Sequence, residues 1–430
     1  MPSLPKSVGS PWKCEHPWCR HGRTEKHQRT AEKPAKADTG EQKMLLARLR
    51  NAGTIGIAAL ATNIAVAAHA DESAEGKALE KLVDSLARPL MAEHDVPGMA
   101  VAVVDGNQRR IFTYGVTAPD GNRPVGEATI FEIGSLSKPY TATLAAYAEA
   151  TGQLSMSATV ASLIPQLEGS PAGNARLRDL GTYSAGGLPL QFPDTVVDHA
   201  DMLAYYGGWE PDHDAGTVRL YSNPSIGLFG HLAAKSLGGD FTELMETRLL
   251  SMLGLHDTFV DVPADRMEDY AFGLSRDGRA VRVNPGMFDA EAYGIKTTAS
   301  DLLSFVELNI DPSDLPQEWQ RAVRATHSVH YRVGPMMQGL GWELYEGAVV
   351  QDDLLAGNSS KMALEPNRIE VPTLAADAPV LINKTGSTAG FGAYAAFIPS
   401  ERIGVAILAN RNFPIPARVA FAYEILSKLQ

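Results

Sequence analysis

The sequence predicts an α/β fold in which both ends of the chain build one antiparallel sheet flanked by helices. Two apolar hairpin patterns, one near residue 105 and one near residue 400, predict the sheet. Helical patterns predominate between them, so residues 151–340 are expected to form a mainly helical inserted domain. The α/β domain then comprises residues 71–150 and 341–430, and the junction of the two domains is the expected place for an active site.

The N-terminal elements of this domain begin with a helix. Between Gly76 and His94, leucines and a valine recur at helical spacing. Two apolar runs follow, Met99 to Val104 and Arg110 to Val116, and they are rich in residues that favour strands. Asp105-Gly-Asn between them is typical of a hairpin turn, so the two runs are predicted to pair.

The C-terminal elements repeat the hairpin and the helix in the opposite order. Gly392 to Ile398 and Ile403 to Ala409 are apolar strand patterns separated by a turn at Pro399-Ser-Glu-Arg402. Arg418 to Leu429 then closes the chain as a helix with one apolar face. These elements complete the predicted sheet.

The first seventy residues have the character of a leader. Arg48 and Arg50, an uncharged run and Ala68-His-Ala70 predict a secretory signal peptide over residues 44–70. The run is short and interrupted by polar residues, so a retained membrane anchor is the less favoured alternative. Because a signal peptide should begin a protein, residues 1–43 are expected to be an upstream extension from a mis-assigned start codon. The exported chain would start at Asp71 in the periplasm, with no stable membrane association.

Both cysteines, Cys14 and Cys19, lie in the predicted extension beside His16 and His21. This spacing resembles a zinc knuckle, but structural zinc sites usually distribute their ligands over a longer segment that can fold. A leader without a metal site is therefore the favoured interpretation. The exported chain would then contain no disulfide.

The charge of the chain excludes several classes of partner. The formal net charge is −12, and residues 71–430 alone carry −18. Nucleic acids and anionic membranes bind basic surfaces, so neither is expected as a partner. Residues 71–430 contain no metal-ligand motif and no nucleotide-binding glycine loop, so no metal or other cofactor is expected. We expect a monomer that acts on a small molecule.

Three short motifs supply the groups of a serine acylation site, and the first is Ser135-Leu-Ser-Lys138. Residues three apart share a helix face, so the Lys138 ammonium group can reach the Ser135 hydroxyl. Serine is a poor nucleophile and needs such a neighbouring base. Pro139 is tolerated only in the first turn of a helix, so the helix is expected to begin close to Ser135. Alone the motif is weak, because it recurs at Ser3 and Ser10.

The other two motifs, Tyr221-Ser-Asn223 and Lys384-Thr-Gly386, each occur once and follow in that order. A phenol has a pKa of about 10, and neighbouring ammonium groups would lower it toward a useful base. Lys384 can supply positive charge for a carboxylate, Thr385 can donate from its hydroxyl, and the small residues that follow let a substrate lie along a strand. Each motif singly has an ordinary structural explanation, such as a capped helix, a buried tyrosine or an exposed lysine. The ordered set favours acyl transfer.

Longer phrases surround these motifs: Phe131-Glu-Ile-Gly-Ser-Leu-Ser-Lys138, Thr182-Tyr-Ser-Ala-Gly-Gly-Leu-Pro-Leu-Gln191, Asp289-Ala-Glu-Ala-Tyr-Gly294, Gly341-Trp-Glu343 and Leu408-Ala-Asn-Arg-Asn-Phe-Pro414. In these phrases and their order, the chain from about Leu79 to its end resembles the class C serine β-lactamases (AmpC-type cephalosporinases). The resemblance implies the fold that serine β-lactamases share with penicillin-binding proteins. It also implies hydrolysis of the β-lactam amide of cephalosporins and penicillins through a Ser135 acyl-enzyme, which confers β-lactam resistance.

The same resemblance implies roles for single residues. Ser135 would be the nucleophile, Lys138 its general-base partner, and Tyr221 the proton shuttle that also activates the hydrolytic water. Whether Lys138 or Tyr221 takes the first proton stays open. Backbone N–H groups of Ser135 and Ser387 would form the oxyanion hole. Substrate contacts would come from Gln191, Asn223 and Tyr293 on the acyl side chain, and from Lys384, Thr385, Asn412 and Arg418 on the carboxylate.

Three positions depart from the common pattern of that family. Asn383 stands where many members carry His, Ile415 where many carry Asn, and Pro139 where Thr is commoner. The isoleucine removes part of the expected contact to the carboxylate. None of the three changes the nucleophile.

Several other functions use the same fold or the same chemistry. A D-Ala-D-Ala carboxypeptidase or another penicillin-binding protein more often carries His-Thr-Gly and lacks the phrase that ends in Gln191, and an esterase typically loses Lys-Thr-Gly. A sensor that stays acylated would need a partner domain or a true anchor, and the sequence suggests neither. A class A β-lactamase is disfavoured, because it uses Ser-Asp-Asn as its second motif and a separate Glu-x-x-Leu-Asn.

Overall fold

A computed structural model describes residues 76–372 and 380–430 of the chain. The predicted extension 1–43, the signal peptide 44–70, both cysteines and the expected new terminus at Asp71 lie outside the described residues. They stay predictions.

The described residues contain fifteen strands: β1 (Gly98–Asp105), β2 (Gln108–Gly115), β3 (Phe131–Glu132), β4 (Val218–Arg219), β5 (Thr258–Phe259), β6 (Gly273–Leu274), β7 (Ala280–Val281), β8 (Lys296–Thr297), β9 (Tyr331–Val333), β10 (Met336–Gln338), β11 (Glu343–Glu346), β12 (Asn367–Arg368), β13 (Val380–Ser387), β14 (Gly392–Ile398) and β15 (Ile403–Ala409).

The helices of the same residues are α1 (residues 76–93), α2 (Lys138–Ala150), α3 (Val160–Leu163), α4 (Pro171–Asn174), α5 (Leu177–Gly181), α6 (His199–Gly208), α7 (Asn223–Ser236), α8 (Phe241–Leu244), α9 (Asp289–Ala292), α10 (Ala299–Ile310), α11 (Gln317–Thr326), α12 (Gln351–Gly357), α13 (Ser360–Leu364) and α14 (Ile415–Leu429). Short 3-10 turns cover Gly134–Ser137, Pro165–Leu167, Ala264–Arg266 and Pro399–Glu401, and Met245–Leu250 forms a π-helical turn.

In the described part of the chain, eight strands form one sheet in the order β2-β1-β15-β14-β13-β11-β10-β9. Each neighbouring pair is antiparallel, and β1 pairs with β15 so that Val101 lies opposite Ile407. The hairpins from the two chain ends therefore lie side by side, which confirms the predicted antiparallel sheet. The sheet also takes in β9 and β10, which precede the boundary placed at residue 341, and the division into two domains stays a prediction.

Apolar cores cover both faces of the sheet, which explains why the central strands β1, β14 and β15 are apolar along almost their whole length. On β1, Ala100 and Ala102 belong to the core on one face, whereas Met99 and Val101 belong to the core on the other. The first core includes residues of α2, α7 and α10, and the second includes residues of α1 and α14. The predicted terminal helices thus pack on the same face of the sheet.

Helix α2 passes through the helical part and contacts α7 and α11. Most of its residues are buried, and two aromatic stacks fix it: Tyr140 on Phe305 with ring centroids 3.8 Å apart, and Tyr147 on Trp319 at 3.9 Å. The 3-10 turn that precedes α2 contacts β13. The start of α2 therefore lies where the helices meet the sheet.

Candidate active site

Ser135 lies in a tight turn that brings it against the end of β13. The turn is the 3-10 helix Gly134–Ser137, and α2 follows with Pro139 in its first turn. Gly134 has a φ of +52°, and a Cβ atom there would lie 2.5 Å from the backbone nitrogen of Ser387. Only glycine accepts both that conformation and that close approach. The residue before Ser135 is therefore what lets the turn touch β13.

The Lys138 side chain is fully buried and reaches Ser135. Its Nζ atom donates to Ser135 Oγ at 3.0 Å, and to Asn223 Oδ1 and the Ala292 carbonyl oxygen at 2.7 Å each. Burial lowers the pKa of Lys138 to about 8; the Tyr221 phenol opposes this and the Lys384 charge adds to it. An amine with that pKa can take or give a proton near neutral pH.

Tyr221 lies close to both lysines of the motifs. Lys138 Nζ is 4.9 Å and Lys384 Nζ is 5.0 Å from the centroid of its ring. Burial raises the pKa of the Tyr221 phenol, but the charges of Lys138 and Lys384, together with polar interactions of the phenol with Lys138 and Ser135, outweigh burial, so the pKa lies below its ordinary value. The hydroxyl is buried and has no hydrogen-bond partner within the described residues. The direction of the shift favours the phenolate, which can accept a proton.

The Tyr221 motif is held in place by the start of α7. Ser222 caps that helix, since its Oγ accepts a hydrogen bond from the Ser225 N–H at 3.0 Å. Pro224 occupies the first turn, where its missing N–H costs nothing. Asn223, the first residue of α7, is thereby aimed at Lys138, and the predicted turn at Tyr221 is the N-terminal cap of a helix.

Lys384 shares a buried carboxylate with an arginine that the sequence did not single out. Glu343 Oε1 lies 3.7 Å from Lys384 Nζ and accepts a hydrogen bond from Arg219 Nη2 at 3.0 Å. Arg219 is 1% exposed and its guanidinium carbon lies 5.6 Å from the centroid of the Tyr221 ring. Lys138, Lys384 and Arg219 therefore lie near the Tyr221 ring, and the Glu343 carboxylate pairs with two of these three cations. This excess of positive charge acts in the direction that favours a phenolate.

The last residues of β13 are open on one edge. Strand β11 pairs with β13 only as far as Asn383, so that within the described residues Lys384 to Ser387 pair with β14 alone. A Cβ atom at Gly386 would lie 1.8 Å from the carbonyl oxygen of Ile133, because the strand passes directly over the turn that carries Ser135. An extended substrate can pair with such an edge beside the nucleophile.

Arg418 lies behind β13 and does not reach the cleft. Its guanidinium group donates to the Gly386 carbonyl oxygen at 2.7 Å, to Ser387 Oγ at 3.0 Å and to Asn412 Oδ1 at 2.7 Å. Arg418 is fully buried, whereas Asn412 lines the cleft. The hydrogen bonds of Arg418 show that it supports β13 and Asn412, whereas the sequence suggested that it contacts the substrate carboxylate directly.

A cleft of about 840 Å³ opens onto this arrangement. The predicted residues that line it are Ser135, Gln191, Tyr221, Asn223, Tyr293, Ser387 and Asn412. Lys138, Lys384 and Arg418 are buried behind its surface, and Thr385 is half-buried on β13. The structure thus gathers all of the predicted residues around one cleft.

One wall of the cleft was missed by sequence reasoning. Residues 275–284, which comprise the turn between β6 and β7, strand β7 and the three residues after it, line it with Arg276, Asp277, Arg279 and Arg282. The Asp277-Gly278 pair is the hairpin signal that could have located this wall. Nothing in the local sequence indicates that the hairpin faces Ser135.

Two of the three residues that depart from the family pattern, Asn383 and Ile415, lie away from the cleft. Asn383 is buried, donates to the Glu343 carbonyl oxygen and accepts from Asn358 Nδ2, each at 3.0 Å. Ile415 begins α14 and packs against the core on that face of the sheet. Both side chains thus have structural partners of their own.

Over residues 76–372 and 380–430, no three His, Cys, Asp or Glu side chains come together in a way that could hold a metal ion. In the same residues no helix combines the length and the apolar character that crossing a membrane requires.

Comparisons with known proteins agree with this geometry. The β-lactamase family model matches residues 83–430. A β-lactamase from Pseudomonas fluorescens is 50% identical over 353 residues, which cover 82% of this chain and 99% of that protein. The crystal structure of a class C β-lactamase in complex with cefoxitin matches with a TM-score of 0.79 at 41% identity, over 82% of this chain and 99% of the other. A β-lactamase/D-alanine carboxypeptidase from Pseudomonas syringae matches with a TM-score of 0.79 at 42% identity and the same coverage.

Proposed function

The chain belongs to the β-lactamase family, and on that premise we propose that it is a class C serine β-lactamase that opens the β-lactam ring of cephalosporins and penicillins through an acyl-enzyme on Ser135. The observation that carries the proposal is the contact of 3.0 Å between Lys138 Nζ and Ser135 Oγ, at a cleft that Tyr221 also lines. The relatives named β-lactamase, and the cefoxitin complex of a structural neighbour, support the substrate class.

In acylation, Ser135 Oγ attacks the β-lactam carbonyl carbon while its proton passes to Lys138 Nζ or to Tyr221 Oη. A base must be unprotonated to accept it, and with a pKa of about 8 roughly one Lys138 side chain in ten is neutral at pH 7. The developing oxyanion lies between the backbone N–H groups of Ser135 and Ser387, which the close contact at Gly134 brings together.

The ring nitrogen leaves when the carbon–nitrogen bond breaks, and it takes a proton from the Tyr221 hydroxyl. In deacylation, the Tyr221 phenolate accepts a proton from water, the resulting hydroxide attacks the ester carbonyl, and Ser135 Oγ leaves with a proton that Tyr221 or Lys138 returns to it. The positive charges of Lys138 and Lys384 near the ring let Tyr221 serve as the base in this step.

Substrate groups are bound on both sides of Ser135. Thr385 and Asn412 contact the carboxylate, Lys384 supplies positive charge from just behind the cleft surface, and Arg418 supports Asn412 by the hydrogen bond at 2.7 Å. Asn223 and Gln191 hold the amide of the acyl side chain, and Tyr293 lines the pocket for the rest of that side chain.

The protein acts as an exported monomer, processed after residue 70 and located in the periplasm. The predicted signal peptide over residues 44–70 supports this assignment. Intact-mass measurement of the secreted protein should give a first residue of Asp71. A chain that begins at Met1 would contradict export by this leader.

A second candidate function is D-Ala-D-Ala carboxypeptidase activity at the same serine. The Pseudomonas syringae neighbour, which is named for both activities, favours keeping this candidate. A peptide that ends in D-Ala-D-Ala, assayed for release of D-Ala, separates the two activities.

Replacement of the nucleophile tests the proposal. Ser135→Ala should abolish hydrolysis of a chromogenic cephalosporin and remove the mass increase of the acyl-enzyme, because no other group can form the ester. Ser162→Ala, at an exposed serine, is the matched control and should keep both. Circular dichroism checks that both variants are folded. Hydrolysis by folded Ser135→Ala would overturn the mechanism.

A further inference from the structure

Glu132 is a buried carboxylate three positions before Ser135, and the proposed mechanism gives it no role. It is 1% exposed and lies on β3, which pairs with β8 and leads into the turn that carries the nucleophile. A buried carboxylate costs considerable free energy unless its oxygens are hydrogen-bonded. Its partners therefore indicate what the structure uses it for.

The two carboxylate oxygens accept hydrogen bonds from three separate segments. Oε1 accepts from the Tyr270 hydroxyl and from the backbone N–H of Val283, each at 2.6 Å. Oε2 accepts from the hydroxyl of Thr388. Val283 and Thr388 both line the cleft, one on the wall of residues 275–284 and one just beyond β13. One side chain thus joins two segments that line the cleft to the strand before Ser135.

The wall has a second support beside Glu132. The Arg282 guanidinium group lies between the rings of Tyr270 and Phe272, 4.0 Å and 3.9 Å from their centroids, and donates to the Ala271 carbonyl oxygen at 3.1 Å. Residues 270–272 and 282–283 therefore form one packed unit. The bonds from Tyr270 and Val283 attach that unit to Glu132, and hydrogen bonds to a carboxylate are the strong kind.

Thr388, the third donor to Glu132, directly follows Ser387, whose N–H belongs to the proposed oxyanion hole. A displacement of Thr388 therefore moves that N–H relative to Ser135. We propose that Glu132 is a positioning residue, which sets the oxyanion-hole strand through Thr388 and the acyl-side-chain wall through Val283 and Tyr270. This inference rests on the proposed β-lactamase function, and it assigns separable effects to the two segments that Glu132 holds.

Variants that each remove one hydrogen-bond donor to Glu132 test the two effects without removing the buried carboxylate. Thr388→Val removes the donor on the oxyanion side, and Tyr270→Phe removes the hydroxyl on the wall side. The acylation rate constant is measured by stopped flow with two chromogenic cephalosporins, one with a small and one with a bulky acyl side chain. The steady-state kcat/KM is measured for the same pair.

Thr388→Val should slow acylation by both cephalosporins by the same factor, on the order of ten- to a hundredfold, as expected for a misplacement of up to about 1 Å. Tyr270→Phe should leave acylation by the small compound within about twofold and change the ratio of kcat/KM between the bulky and the small compound. Glu132→Ala should show both effects. Glu132→Gln should rescue part of each, because its amide oxygen still accepts from Tyr270 and Val283 and its NH₂ can donate to Thr388.

The burst amplitude reports the fraction of folded enzyme, whereas the rate constant reports the geometry of the folded molecules. The inference would be overturned if the acylation rate constants and the kcat/KM ratios of Thr388→Val and Tyr270→Phe both stay within twofold of the wild type. This holds even if Glu132→Ala lowers the burst amplitude. Acylation that proceeds in the wild type without turnover would overturn the β-lactamase proposal alone, since the acylation rates still test Glu132. A wild type that is not acylated at all would overturn both.

Discussion

Replacing Gly386 with alanine tests the close packing of β13 on the turn that carries Ser135. The added Cβ atom would lie 1.8 Å from the Ile133 carbonyl oxygen and 2.8 Å from the Leu136 nitrogen, whereas real Cβ atoms essentially never approach within 3.0 Å. The strand and the turn must therefore separate by at least about 1.2 Å. Because Ser135 and Ser387 lie on either side of this contact, the separation would widen the proposed oxyanion hole.

A misplacement of about 1 Å costs on the order of a hundredfold in rate. We therefore expect Gly386→Ala to lower the acylation rate constant for a chromogenic cephalosporin by about that factor. Both atoms in the clash belong to the backbone, so a change of side-chain rotamer cannot relieve it. Gly208→Ala is the matched control, because a Cβ atom there meets nothing within 4 Å, and it should keep the wild-type rate.

Stopped-flow acylation and thermal unfolding are measured on the same preparations, so that a loss of folded protein is separated from a loss of geometry. The reasoning is refuted if folded Gly386→Ala acylates within threefold of the wild type. That result would mean that the oxyanion hole does not depend on the contact between β13 and the turn.

Two further predictions concern charge. If Lys138 takes the proton of Ser135, the acylation rate at saturating enzyme should rise as the pH passes through about 8, because the amine must then be unprotonated. Stopped-flow traces from pH 6 to 10 check this, and a rate that does not depend on pH would exclude Lys138 as the base. The lowered pKa of Lys138 also affects stability. Between pH 8 and 10 the unfolded chain, with a lysine pKa of about 10.4, binds more protons at this group than the folded chain does. This group therefore makes the free energy of unfolding rise with pH in that window. Glu343→Gln removes the buried carboxylate between Arg219 and Lys384 and leaves their charges without a partner. It should lower the free energy of unfolding, measured by urea titration, by about 3–5 kcal/mol. A loss below about 1 kcal/mol would contradict a stabilising ion pair at this position.

Sequence reasoning located the sheet well where strands are long and closed by recognisable turns. The last two strands were predicted at Gly392 to Ile398 and Ile403 to Ala409, and β14 and β15 have those bounds. Strands β9, β10 and β11 were missed, because three or four residues each are too few to show a periodic pattern, and β13 was marked only by the Lys384 motif. The sheet therefore begins earlier in the chain than residue 341, where the sequence placed the start of the second segment of the α/β domain.

The candidate site was predictable as far as motifs mark it. Ser135, Tyr221 and Lys384 stand in short phrases of defined order, and the structure brings them together. Arg219 was not predictable, because charged side chains are usually exposed and only the tertiary structure shows its buried partners. The same holds for Glu132, whose three donors come from distant parts of the chain.

The most direct test of the central claim is the stoichiometry of cephalosporin hydrolysis by the purified chain from Asp71 onward. A chromogenic cephalosporin in large excess is mixed with the protein, and the product released per protein molecule is followed while intact mass reports the ester on Ser135. The account predicts a transient ester and continued release over many equivalents, because Tyr221 lies beside the nucleophile and can activate water. Release that stops at one equivalent, with the ester intact, would contradict it and would favour a peptidase or a sensor.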